Sequence, residues 1–531
     1  MAVARTVRRR SFWGWGWEDQ ALGPDQLAAL ASAVAARLGT DLRPRPAPRI
    51  EDVARHLPPP RVEPPAALAA IASTDPYDRA SHTYGKSYRD VVRGFAGDFT
   101  AAPSFVAFPR DEGDVVAVLD WCSAAGVPAV PYGGGSSVVG GVECPGAVSI
   151  DLSRLNRVVE VDRASRAARI QAGALGPEVE DQLRPHGYTL RHFPQSFEFS
   201  TLGGWLATRS GGHYATNYTH IDDFVESLRI VTPAGIYESR RLPGSGAGPA
   251  PDRLFLGSEG ILGVITEAWM RVQDRPRFRA AASVRFTDFS DGVAACREIS
   301  QAGLFPANCR LLDPGEAASA GVTDGATVLL LGFESADHPL DAWIARAVEI
   351  CADHGGTVPE GVRTSAGVPT EGAAGAWRAS FMRAPYGRDA MVALGCIADT
   401  FETAITWDRF ESLHARVTEA VTAALREVCG GGSLTCRFTH VYPDGPAPYY
   451  TFLAPGRPDA LIEQWQAVKE AASEAVLAAG GTITHHHAVG RDHRLWYDRE
   501  RPEPFAAALA AAKRALDPAG ILNPGVLVDA G

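Results

Sequence analysis

The sequence predicts an α+β protein with two domains behind an extended N-terminal arm. Three observations carry this. From about Pro103, strand-like apolar segments alternate with amphipathic helical ones. Near Pro276 that rhythm stops and a second strand-and-helix series begins. Between them a glycine run, "PYGGGSSV" at 131–138, follows a strand and opens no helix. A chain of 531 residues is also too long for a single core.

The arm is read as residues 1–98. "ALGPDQLAALASAVAARLG" (21–39) has the pattern of a helix after a capping region. A proline-rich stretch follows at 43–65, with a short helix inside it. The start, "RTVRRRSFWGWGW", is basic and aromatic but lacks the apolar core and small-residue cleavage site of a signal peptide. It reads as a solvated tail, with peripheral contact to an anionic membrane surface as the alternative. No apolar run approaches the roughly 20 residues of a spanning helix.

The first domain is read as 99–275. "SFVAFPR" is a strand, "DEGDVVAVLDWCSAAG" a capped helix, and "VPAVPYG" a second strand leading into the glycine run. "RVVEVDRASRAARIQAG" reads as two strands around a turn, "ALGPEVEDQLRPHG" as a helix, and "ESLRIVTPAGIYES" as a hairpin. "RLPGSGAGPAPD" (241–252) reads as a loop. The second domain is read as 276–510, with a C-terminal segment at 511–531. In it "RAAASVRFTDFSDGVAACREISQAG" is strand then helix, "ATVLLLGFE" a strand, "LDAWIARAVEICADHGG" a helix and 459–481 a long helix.

Composition narrows the function. Hydrophobic residues make up 46% and charged residues 21%, as in ordinary globular proteins. The net charge of −11 excludes a general nucleic-acid binder. The eight cysteines form no CxxC and read as reduced, mostly buried thiols of a cytoplasm-like compartment.

Three consecutive glycines with two serines allow a ligand to lie against the main chain, and successive N–H groups can form an anion site. No lysine follows as in a Walker loop, and the sixth position from Gly133 is Val138, not the glycine of a dinucleotide fingerprint. A tight turn between strands is the plain alternative. Three further stretches share the small, hydroxyl-rich character: 194–213, 217–225 and 257–270. Their convergence points to one long ligand held by main chain.

These stretches resemble the vanillyl-alcohol-oxidase (PCMH) type of FAD-binding domain. The chain as a whole is similar to the alkyldihydroxyacetonephosphate synthases, ether-lipid flavoenzymes. The likeness runs through "FWGWGWED", "SHTYGKSYRDVVRG", "PYGGGSSVVGGVE", "FEFSTLGGWLATRSGG", "GSEGILGVITEA", "NCRLLD", "APYGRD", "DTFETAITWDR" and "GGTITHHHAVGRDH", most of 11–525. It implies a PCMH-type FAD domain and an α+β substrate (cap) domain.

The resemblance implies that Pro131, Tyr132, Gly133, Gly134, Gly135, Ser136 and Ser137 hold the FAD diphosphate. Pro194, Ser200, Thr201, Gly203 and Gly204 would line the flavin and its linker. Glu259, Gly260, Leu262, Gly263, Val264 and Ile265 would contact the adenine side and flavin edge. Some relatives attach the flavin to a histidine of the glycine loop; this loop has none, which implies non-covalent FAD.

In the second domain it points to Arg310, Arg388, Tyr449, His485, His486 and His487. A guanidinium suits a substrate phosphate, the role implied for Arg388; a surface Arg–Asp contact is the alternative. Arg310 could instead pair with Asp313. Tyr449 could move a proton if its pKa is lowered, or be core, with Tyr450 in its place if the register slips. On a strand, His485 and His487 face one side and His486 the other. They read as a cluster around phosphate and flavin. A metal site completed by His493 or His440, and a surface accident, are the alternatives; no metal is expected.

The implied reaction exchanges the acyl group of acyl-dihydroxyacetone phosphate for a fatty alcohol, using FAD without net redox turnover. Its partner is thus a phosphorylated or carboxylated lipid or small molecule, and a homodimer is compatible with the sequence. One departure concerns the end, "DPAGILNPGVL", which resembles flavin dehydrogenases of 2-hydroxy acids. Oxidation of such an acid, and flavin binding without catalysis, are the competing readings.

Overall fold

Local signals place the elements where the pattern puts them. Asp111 accepts the Asp114 N–H at the start of the helix Glu112–Ala125, and Gly126 ends it at φ 63°. The arm helix is Pro24–Leu38, with proline in its first turn and Gly39 left-handed at its end. The computed structural model describes residues 8–218, 220–322, 325–365 and 386–529. Residues 5–7 of the basic start and Ala384 and Pro385 of "APYGRD" lie outside them.

The first domain holds two sheets at its centre. In one, Ala72–Ser73, Phe105–Ala107, Val148–Asp151 and Ala129–Tyr132 lie in that order; the last three run parallel and the arm strand antiparallel. In the other, antiparallel throughout, the order is Val158–Asp162, Ala167–Gln171, Val264–Arg271, Val225–Thr232 and Gly235–Glu238. The helix Gly176–Leu183 and the expected hairpin at 225–238 are present.

The second domain is built on one seven-stranded sheet. Its order is Arg363–Ser365, Phe278–Phe286, Thr327–Ser335, Asn308–Leu312, Ser433–Val441, Pro446–Pro455 and Cys396–Glu402. Every pairing is antiparallel. The helices Phe289–Gln301, Asp341–Asp353, Phe410–Cys429 and Leu461–Ala478 cover one face with buried Ile299, Ile344, Val417 and Val468.

Two boundaries differ from the sequence reading. The arm is shared between the domains: its strand extends the first sheet, while Tyr88, Val91 and Phe95 enter the second core. Ala31 and Val34 of the arm helix pack on Leu394 and Cys396. The C-terminal stretch returns to the first domain, where Val489, Leu509, Leu522 and Val526 join its core. Apolar side chains decide both cases, since each segment buries its own against the nearer core.

The described part of the basic start is not a free tail. Arg8 bonds Asp19, Arg9 lies over the Tyr77 ring, and Arg10 donates to the Phe199 carbonyl. All eight cysteines are free thiols and only Cys429 is not buried, as expected. No described helix is long and apolar enough to cross a membrane.

Candidate active site

The glycine run is glycine because protein, more than ligand, crowds it. A Cβ on Gly134 would overlap the Phe199 carbonyl, and one on Gly133 the Thr201 hydroxyl. Gly135, at φ 63°, would meet the Tyr132 hydroxyl. The loop 131–137 therefore packs against segment 199–201, and that packing requires these glycines beside any ligand.

Above this layer, between the two domains, is a cavity of ≈ 490 Å³. On the first-domain side it is lined by all of 131–137, by Pro194, Ser200, Thr201, Gly203 and Gly204, and by Glu259, Gly260, Gly263 and Ile265. Leu262 and Val264, expected at the cofactor, do not line it; both are fully buried in the first core. Strand alternation turns Ile265 to the cavity and Val264 inward. Glu259 stands at φ 49°, and its carboxylate accepts the N–H groups of Val489 and Gly490, so it fastens the returning C-terminal stretch to the cavity wall. Burial pushes its carboxyl up to about 7.

The donor set fits a diphosphate-bearing cofactor. Among the described residues, the main-chain N–H groups of 134–137 donate no hydrogen bond within the protein, and they border the cavity. Ser137 Oγ accepts the Gly141 N–H at 2.9 Å, which holds the loop curved. A concave run of unspent N–H groups is an anion site.

From the second domain come Arg310, Arg388, Arg437, Tyr449, His486 and His487. Tyr449 and Tyr450 separate by strand alternation. Tyr449 reaches the cavity, whereas Tyr450 points into the core, stacked on Phe401 at 4.9 Å and bonded to His414. Tyr449 donates to Thr400 Oγ1 at 3.0 Å, and the Arg437 guanidinium lies 4.0 Å over its ring. A lowered pKa was the condition for Tyr449 to move a proton. Burial raises it, with Arg437 and Thr400 opposing only in part, so the phenol is a proton donor at neutral pH.

Arg388 lines the cavity but is not a surface group. It pairs with buried Asp399 at 2.7 Å and donates to the Lys86 carbonyl at 3.0 Å. Asp399 also accepts from Trp465 Nε1 at 2.7 Å, with Lys469 3.8 Å away. Arg310 is 1% exposed and contacts His213 Nδ1 at 3.1 Å. Its alternative partner, Asp313, instead accepts the Glu316 and Cys436 N–H groups as a helix cap. Burial lowers the Arg310 pKa to about 9.

The three histidines depart most from expectation. They lie on an irregular turn, not a strand. The N–H of His485 donates to Glu402 Oε2 at 2.7 Å, and those of His486 and His487 to Oε1 at 3.1 and 3.0 Å. Thr484 Oγ1 adds a fourth bond at 2.6 Å. His486 and His487 reach the cavity, but His485 turns away to Tyr442 OH at 2.8 Å. His440 lines the cavity and bonds the Gly212 carbonyl. Burial holds His440, His485 and His487 well below the ordinary imidazole range. Nitrogens of His440, His485 and His486 lie within 4.8 Å of one another, a set able to approach one ion. His493 is apart, bonded to the Ala488 carbonyl.

Sequence reasoning missed Glu402, Asp399 and Arg437. Each is a charged residue on a strand of the second sheet, only 2%, 6% and 7% exposed, and a charge within a strand-like segment was the available signal.

The chain matches the family described as "FAD binding domain" over residues 103–239 and that described as "FAD linked oxidases, C-terminal domain" over 275–527. It is 30% identical over 521 residues to the alkyldihydroxyacetonephosphate synthase of Dictyostelium discoideum, covering 91% of this chain and 83% of that one. It is 29% identical to that of Trypanosoma brucei brucei, covering 92% and 84%. A solved alkyldihydroxyacetonephosphate synthase superposes with a TM-score of 0.80 at 27% identity, covering 97% of this chain and 98% of that one.

Proposed function

Because the chain belongs to the alkyldihydroxyacetonephosphate synthase family, we propose that this FAD-dependent enzyme exchanges the acyl group of acyl-dihydroxyacetone phosphate for a fatty alcohol. The observation that carries the reading is the meeting, in one cavity, of an unspent N–H loop with Tyr449, His486, His487 and two buried arginines.

Bound FAD would supply the electrophilic centre of the exchange without net electron transfer. The loop 131–137 would hold its diphosphate, segments 200–204 and 259–265 its remaining length. No histidine occurs in 131–138, and this supports non-covalent attachment. Acid precipitation should then release all the FAD into the supernatant.

The chain's own groups divide the remaining work. Arg388 and Arg310 present guanidinium groups for a phosphate. Tyr449, protonated, can donate to a substrate oxygen. His486 and His487 can take and return a proton as one oxygen substituent leaves and another enters. A closed domain interface would exclude water, which would otherwise compete with the alcohol.

The test is incubation of the FAD-loaded protein with acyl-dihydroxyacetone phosphate and a long-chain alcohol. Alkyl product and free fatty acid should appear together, only when alcohol is present, with no oxygen consumed. Reduction of an electron acceptor by a 2-hydroxy acid, without ether product, would replace this reading. The lipid substrate also carries two assembly expectations, contact with anionic membranes and a homodimer; vesicle flotation and sedimentation velocity check them.

A further inference from the structure

A carboxylate that is 2% exposed and carries no lysine or arginine partner among the described residues needs a reason to be there. Glu402 ends the strand Cys396–Glu402, and its two oxygens receive three successive main-chain N–H groups and one hydroxyl from residues 484–487. These bonds do two things. They fix the backbone of the histidine turn, against its tendency to extend. They also keep Glu402 ionised, since four donors favour the charged form. Burial alone would raise its pKa, yet the His486 and His487 imidazoles beside it hold it well below the carboxylate range.

The imidazoles then lie beside this charge. His486 Nδ1 is 3.4 Å from Oε2, and His487 Nδ1 is 3.7 Å from Oε1. Both rings are the ones that border the cavity, and both pack on Tyr449, at 6.0 and 5.4 Å. We propose that Glu402 is the positioning residue and counter-ion of the reaction centre: it sets the turn that aims His486 and His487 at the cavity and places a negative charge against both rings there.

The surroundings otherwise oppose a proton on these rings. Burial, Lys469 and His493 disfavour it at His487; His220, His486 and Arg209 do so at His485. His440 faces the same group from the strand Ser433–Val441. Tyr442 and Tyr449 are neutral phenols, their pKa values raised by burial. Glu402 is the group that acts in the favourable direction on both His485 and His487.

The role rests on the synthase reading only for what that charge does in the reaction, so the test has an arm without turnover. The FAD-loaded protein is labelled with [15N]histidine, and imidazole titrations are followed by NMR, assigned with His486→Ala and His487→Ala. In Glu402→Gln the titration of the cavity pair should fall by about one to three pH units, the usual effect of a lost neighbouring charge. In the exchange assay, kcat should fall about a hundredfold, while KM stays within about threefold. Glu402→Asp keeps the charge but withdraws it and should lie between. If Glu402→Gln does not fold, Glu402→Asp against wild type makes the same comparison. Coincident titrations in wild type and variant would overturn the counter-ion, and unchanged kcat would overturn the positioning. A wild type inactive in the exchange but with shifted titrations would sink the synthase reading and leave this one standing.

Discussion

Glu402 and Tyr449 stand opposite each other on one rung of an antiparallel pair, and both meet the histidine turn. One register thus fixes the distance between a buried charge, a phenol and two imidazoles. The next rung pairs Phe401 with Tyr450, whose rings face the core.

That alternation gives the first prediction. Tyr449→Phe keeps the ring under Arg437 but removes the hydroxyl at the cavity. FAD should stay bound and turnover should fall about 10²–10⁴-fold, the span of a lost acid–base group. Tyr450→Phe should do the reverse: turnover intact, stability lower by about 0.5–1.5 kcal/mol for the bond to His414. Denaturant unfolding and the exchange assay, run on both variants, separate the two. Equal activity in both would remove the tyrosine from the mechanism.

Gly134→Ala should lose stoichiometric FAD. The added methyl meets the Phe199 carbonyl, so the loop must lift from the layer that curves it. The cofactor content of the purified protein reads this directly. Retained full occupancy would mean the loop does not hold the diphosphate.

The regular elements were legible because their signals are local. Asp111 and Gly126 bracket one helix, and glycine with hydroxyl residues marks one wall of the cavity. The histidine turn was not legible, because period-two reasoning assumes a ladder partner, and here a side-chain carboxylate takes the N–H groups instead. Glu402 is 83 residues away from His485, so no local window contains the pair. Arg388 lines the cavity, but its buried partner Asp399 hides in a strand. The C-terminal segment was set apart by position, whereas its apolar residues return it to the first core.

Asp492 gives a pH prediction. It lies 3.1 Å from Arg89, yet burial wins and pushes its carboxyl up to about 7. A carboxyl raised on folding binds more protons in the folded state between about 3.8 and about 7, so its contribution to stability falls as pH rises through that window. Asp492→Asn should therefore raise the melting temperature relative to wild type at pH 8 and change it little at pH 4. A variant less stable at pH 8 would show that the Arg89 pair outweighs burial.

Arg388 separates binding from stability. Arg388→Ala removes a guanidinium from the cavity wall and should weaken a phosphorylated substrate about ten- to hundredfold, the worth of a charge-assisted pair at about 1.5–3 kcal/mol. It also strands Asp399, but Trp465 and Lys469 still face that carboxylate. The stability loss should therefore fall below the about 3–5 kcal/mol of a broken buried pair left with no partner. Arg388→Lys keeps a positive charge near Asp399 and should recover most of the stability. It should recover little of the affinity, because an ammonium cannot bond Asp399 and a phosphate with one planar fork. Substrate KM and urea midpoints, measured on the same two variants, test the split. An Arg388→Ala protein that loses stability but binds phosphorylated substrate as wild type does would make the arginine a strut for Asp399 and move the phosphate to Arg310.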